Sequence, residues 1–238
     1  MNIPQNYIHA FVATPVLVVF FYMSMRSYQK TRNQTSLYLG IATIFYILTT
    51  FLSAYPTLWI SDSSQLNVYG LLAATAEQIG LFWLWVAVAH IYLAKQAFWR
   101  GVVVTLAGII AIAATIVAFQ DLIGQPTKLI VQNGALILYN YVSTPFIVLV
   151  AVEYAAMLFL AFAFLRQSNR AIDLQVKWRL RIVALGFALV GAAFCVIPLA
   201  SPAEYGAINP AQSLQMLIGI VLVALFLLAT LLVRPKQK

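Results

Sequence analysis

The chain has 238 residues, 63% of them hydrophobic and 8% charged, with a formal net charge of +8 at pH 7. A soluble domain carries about a quarter of its residues charged, so this composition and a mean hydropathy of +0.91 exclude one. The positive balance is not that of a nucleic-acid-binding protein either, because the basic residues fall in short clusters between apolar runs, where they act as topology signals.

In chain order, the apolar runs predict an all-α integral membrane protein of seven transmembrane helices, at 8–25, 37–55, 70–94, 101–119, 144–165, 180–200 and 213–233. Each is close to the ~20 residues needed to cross a hydrocarbon core of ~30 Å. Together they form a single domain over 1–238, with little chain left for a soluble kinase, cyclase or ligand-binding domain. Met1 to His9 lacks the basic start of a cleavable signal, so the first helix is expected to be a retained anchor.

Basic residues follow helix 1 (Arg26, Lys30, Arg32), helix 3 (Lys95, Arg100), helix 5 (Arg166, Arg170, Lys177, Arg179, Arg181) and helix 7 (Arg234, Lys236, Lys238). Of the basic residues only Lys128 falls on the opposite side, with Asp62, Asp121 and Glu204. The positive-inside bias therefore predicts an N-terminus outside and a cytoplasmic C-terminus. Tyr28, Tyr55, Trp59, Trp99, Tyr141 and Trp178 stand near run ends, where amphipathic rings favour the headgroup level. In this topology the Asn33-Gln34-Thr35 sequon faces the cytoplasm, so it is not a glycosylation site.

Between helices 4 and 5, residues 127–139 place Asn133-Gly134 between two strand-like runs, which predicts an extracellular β-hairpin. Pro145 is placed to open helix 5, and Pro198 to kink or end helix 6. Gly186, Gly191, Ala192 and Ala193 give helix 6 a small-residue face for close helix contact.

Ionisable residues inside a membrane are costly and so point to function. Glu77 lies ~9 Å below the outer end of helix 3 and Glu153 ~12 Å below that of helix 5, at 1.5 Å per residue. One reading is an outward-opening cavity, joined by Thr75 and Gln78, that binds a cation or a small cationic or hydrogen-bonding ligand. The other is two acids bonded to neighbouring helices, holding the bundle together. His90 is thirteen residues beyond Glu77, ~20 Å along the helix and turned by about 220°, so the two cannot form an acid–base pair and His90 reads as a packing residue.

His9 lies at the opposite membrane surface, which rules out a metal or haem shared by the two histidines. The single cysteine, Cys195, excludes a disulfide framework within the chain and reads as a small buried hydrophobe. Hydrolase, zinc-protease and phosphate-loop motifs are absent, so neither enzymatic activity nor a cofactor or metal is expected.

Helix 7 has no lysine for a retinal Schiff base. His90-Ile91-Tyr92 stands where a G-protein-coupled receptor would carry its acidic-Arg-Tyr triplet. The Asn133-Gly134 segment leads through Tyr139 and Tyr141 into helix 5, and Asp173-Leu-Gln-Val-Lys-Trp-Arg-Leu-Arg181 enters a helix bearing Gly186. With the seven-helix topology and short loops, these features resemble the membrane sensor module found N-terminal to some bacterial histidine kinases and diguanylate cyclases.

The resemblance implies a receptor-like sensor in a bacterial or archaeal cell membrane. Because the sequence stops at Lys238 without an output domain, signalling is expected through a cytoplasmic or membrane protein partner. The tail and Arg166, Arg170, Lys177, Arg179 and Arg181 would face that partner. A small transporter or channel built on the acidic cavity is an alternative, and an assembly factor for another membrane protein is a second. The absence of an internal repeat weighs against an inverted-repeat transporter. The expected partners are the lipid bilayer, such a protein and a small-molecule ligand, with no nucleic acid.

Overall fold

In the computed structural model the described residues are 5–58, 60, 63–124, 128–132, 135–139 and 143–200. They form α1 (Gln5–Thr31), α2 (Gln34–Ala54), a 3-10 turn (Tyr55–Leu58), α3 (Ser63–Tyr92), α4 (Ala97–Gly124), strands β1 (Lys128–Gln132) and β2 (Ala135–Tyr139), α5 (Thr144–Arg170) and α6 (Leu174–Ala200). The helix expected at 213–233 lies outside the described residues. Segments Gln34–Ser53, Ser64–Tyr92, Ala97–Ile123 and Thr144–Arg170 are long and apolar enough to cross a membrane. The chain is thus helical and of multi-pass membrane type.

The helices outrun the apolar stretches that announce them. α3 begins at Ser63 rather than at 70, because its first turns carry Ser64, Gln65 and Asn67 beyond the apolar run. α5 continues to Arg170 rather than 165, and α6 starts at Leu174 rather than 180. At this junction the Asp173 side chain accepts the Gln175 N–H at 2.7 Å and caps the first turn. Pro145 sits in the first turn of α5, where its missing N–H leaves no bond unmade. Pro15 lies within α1, and α6 runs past Pro198 to Ala200.

Two residues connect α1 to α2. Arg32 takes φ 54°, in the left-handed region, and its N–H bonds the Tyr28 carbonyl at 2.7 Å, closing α1. Asn33 then opens α2, its side chain accepting the Thr35 N–H at 3.0 Å.

α3 is the central helix, packed against α2, α4 and α5, while α5 packs on α6. Phe187 of α6 stacks on Phe164 of α5 and meets Phe20 of α1 edge-on at 6.2 Å, bringing α1 to α6. Gly191 sets the approach of α5 to α6: a Cβ there would stand 2.7 Å from Leu158 Cδ2 and 3.2 Å from the Leu158 backbone nitrogen. This is one of the small residues on which close helix contact was expected.

α4 reverses the soluble pattern. Ala107, Ala111, Ala114 and Ala118 are buried, whereas Leu106, Ile109, Ile112, Ile116, Phe119 and Ile123 are exposed. Large apolar side chains outward and small ones inward fit lipid as the solvent, since burial against protein there gains from close backbone approach rather than from leaving water. Trp99 and Trp178 are exposed at the ends of α4 and α6, as interfacial rings should be.

β1 and β2 pair antiparallel from Lys128↔Tyr139 to Gln132↔Ala135, with Asn133-Gly134 itself outside the described residues. β2 lies against α1. At the foot of this excursion, Asp121 near the end of α4 accepts the Ser143 N–H at 2.8 Å, fixing the start of α5.

Candidate functional site

α3 and α5 run in the same direction, because Glu77 meets Tyr154 and, further along both helices, Trp85 meets Phe159 at 5.6 Å. This shared direction brings the two intramembrane acids to one level. Each sits beside a polar neighbour in sequence, and the pairs cross. The Tyr154 hydroxyl donates to Glu77 Oε1. The Gln78 amide nitrogen, turned towards Glu153, donates to Oε1 at 3.0 Å and also to Oε2. That orientation follows from the chemistry, since the reverse would set an amide oxygen against carboxyl oxygens. Gln78 and Glu153 are each 1% exposed, whereas Glu77 is partly buried.

Tyr46 brings α2 into the cluster, packing its ring near Gly80 of α3, where a Cβ would stand 3.4 Å from the ring. Its hydroxyl is buried beside Tyr154 and within electrostatic reach of both acids. On the other flank, the Tyr154 ring stacks on Phe194 of α6 at 4.2 Å and 11°. The Cys195 thiol donates to the Ala151 carbonyl at 3.1 Å, a packing role in keeping with its small apolar reading.

Of the expected ligand-binding residues, Glu77, Gln78 and Glu153 come together and Thr75 does not join them. Its hydroxyl donates to the Leu71 carbonyl at 2.8 Å, one turn back on its own helix. Thr in a membrane helix commonly makes this bond, because the i−4 carbonyl is the nearest acceptor where water is absent. His90 stays apart from Glu77 and packs against the Tyr38 ring at 4.7 Å. The side chain of His9 lies outside those described.

The five basic residues expected on a loop at 166–181 stand on helix. Arg166 and Arg170 occupy the last turns of α5 and are exposed; Lys177, Arg179 and Arg181 occupy the first turns of α6 and are partly buried. Only 171–173 separate the two helices. Ile172, Leu174 and Trp178 are exposed among the charges, and Arg181 lies 5.6 Å over the Trp178 ring.

Chemically, the cluster is acceptor-rich. Glu77 and Glu153 both receive hydrogen bonds, a carboxylate offers about four acceptor directions, and no lysine or arginine lies among the polar groups described around them. Among the described residues, no group of three or more His, Cys, Asp or Glu is placed to hold a metal ion. Sequence reasoning missed Tyr46 and Tyr154; adjacency to Glu153 was the one signal available for Tyr154, and Tyr46 offered none. No protein-family model matches the chain, and no curated protein matches it.

Proposed function

We propose that the chain is a non-enzymatic, receptor-like membrane sensor or accessory subunit, with seven helices, an outside N-terminus and a cytoplasmic C-terminus in a cell membrane. The observation that carries this reading is the buried Glu77–Tyr154 and Gln78–Glu153 clasp, placed where α2, α3 and α5 meet. A ligand that rearranges the clasp changes the fit of three helices at once. The basic end of α5 and α6 is the output surface towards a partner, and in this reading the paired strands β1 and β2, with β2 against α1, serve as an outer cover.

Two experiments test it. Single cysteines in a Cys195→Ala background should react with an impermeant maleimide in intact cells at positions 63 and 132 but not at 29 or 175. Labelling of position 29 would reverse the orientation. For the site, a cysteine at position 175 should change its labelling rate in isolated membranes when small cations and amines are screened. Glu77→Gln and Glu153→Gln should each abolish that change while expression stays near normal. A response that survives both substitutions, beside a large loss of stability, identifies the clasp as interhelical glue. Cation flux into proteoliposomes would reassign the chain to transport.

A further inference from the structure

The start of α6 carries a cation on the membrane side of an aromatic ring. Leu174, Trp178, Arg181 and Leu185 follow one another at helical spacing and share one face of α6. Leu174, Trp178 and Leu185 are exposed, at 67%, 56% and 49%. Arg181 is partly buried and lies 5.6 Å over the Trp178 ring. In a membrane protein an outward leucine within the apolar run meets lipid, and an outward tryptophan at its end meets headgroups. At 1.5 Å per residue, Arg181 is then ~5 Å and Leu185 ~10 Å deeper than Trp178.

No acid shares that depth on this stretch. Asp173, the sole acid between 166 and 181, is on the water side of Trp178 and accepts the Gln175 N–H. Lys177 adds a second cation one turn before Arg181. The pair of Arg32 and Tyr28, at 5.8 Å, is the reverse case: Arg32 follows its ring just beyond the end of α1 and is exposed on the water side. A cation below its ring takes its counter-charge from the same layer, where a cytoplasmic protein does not reach but a lipid phosphate does. The guanidinium stacks by its face, which leaves its N–H donors along the edge for phosphate oxygens.

We propose that Lys177, Trp178 and Arg181 seat the headgroup of an anionic phospholipid, with Arg181 holding the phosphate and Leu185 against the acyl chain. Two cations without an acid at their depth select net negative charge over a zwitterionic headgroup. The inference rests on the chain's crossing a membrane and not on the sensor reading, whose output surface keeps Arg166, Arg170 and the exposed Ile172.

The test uses the full chain in phosphatidylcholine nanodiscs doped with lipid brominated on its acyl chains, either phosphatidylglycerol or phosphatidylcholine. Bromine quenches nearby tryptophans, and subtracting the signal of Trp178→Phe in each background isolates Trp178. An interfacial cation is worth about fivefold in anionic-lipid affinity. Brominated phosphatidylglycerol should therefore half-quench Trp178 at roughly a tenth of the fraction that phosphatidylcholine requires, or less. Arg181→Gln and Lys177→Gln should each reduce that preference about threefold to fivefold. Arg26→Gln, which removes an exposed charge from α1, should leave it unchanged. Equal quenching by the two lipids overturns the proposal and leaves the surface to a cytoplasmic protein. An equal loss in Arg26→Gln overturns it in favour of diffuse charge, and displacement by excess inorganic phosphate overturns it in favour of a soluble anion.

Discussion

Gln78→Leu is expected to destabilise the helix bundle by about 1–3 kcal/mol, because it leaves the Glu153 carboxyl buried without the amide that serves both of its oxygens. The same deletion at an exposed amide would change little. What makes it expensive is burial, with Glu153 at 1% exposure. Removing both partners is the informative comparison: in Gln78→Leu/Glu153→Leu no polar group is left stranded, so stability should return close to that of the parent. Thermal unfolding of the four proteins in nanodiscs closes the cycle. Additive losses, with the double variant the least stable, would mean that the two side chains do not share a bond.

Gly191→Val should be comparably severe through a different force. A Cβ at 191 already stands 2.9 Å from Leu158 Cγ and 3.2 Å from the Leu158 backbone nitrogen. The side chain can turn aside, but the backbone cannot, so the two further methyls of valine require α5 and α6 to separate. Overpacking of this kind costs about 1–3 kcal/mol. Because Phe194 and Cys195 lie on the same stretch of α6, their contacts with Tyr154 and Ala151 should loosen as well. Gly101→Val is the control, since nothing lies within 4 Å of a Cβ at that position. Equal losses of Tm at 101 and 191 would refute close approach as the cause.

The contrast between these sites shows what a linear sequence makes legible. The positions of the described helices were readable because a membrane-crossing run must be apolar over its whole length, a signal that survives without knowledge of packing. Helix ends were not. Ser64 and Asn67 at one junction, and Gln175, Lys177, Arg179 and Arg181 at another, are polar yet helical, since hydrogen bonding continues past the point where lipid demands apolar side chains. At the site, Glu77 and Glu153 stood out as lone carboxyls in apolar runs, and a shared depth was arithmetic from the helix rise. Their partners were hidden for a chemical reason. Tyrosine is both apolar ring and polar hydroxyl, and among twelve of them nothing in the sequence marks Tyr46 and Tyr154 as the two that turn inward. Thr75 erred the other way: its hydroxyl looked available, but its own helix supplied the acceptor.

The contact of β2 with α1 also sets an order of assembly. β2 is made more than a hundred residues after the end of α1, which at 5–20 residues per second leaves a delay of roughly 5–20 s. Throughout that interval α1 has α2 as its companion, while its contact with the strand pair waits until α2, α3 and α4 have been made. The junction is therefore a late-closing seam. A nascent chain stalled before residue 135 lacks it, and limited proteolysis of α1 would distinguish the stalled chain from the finished one.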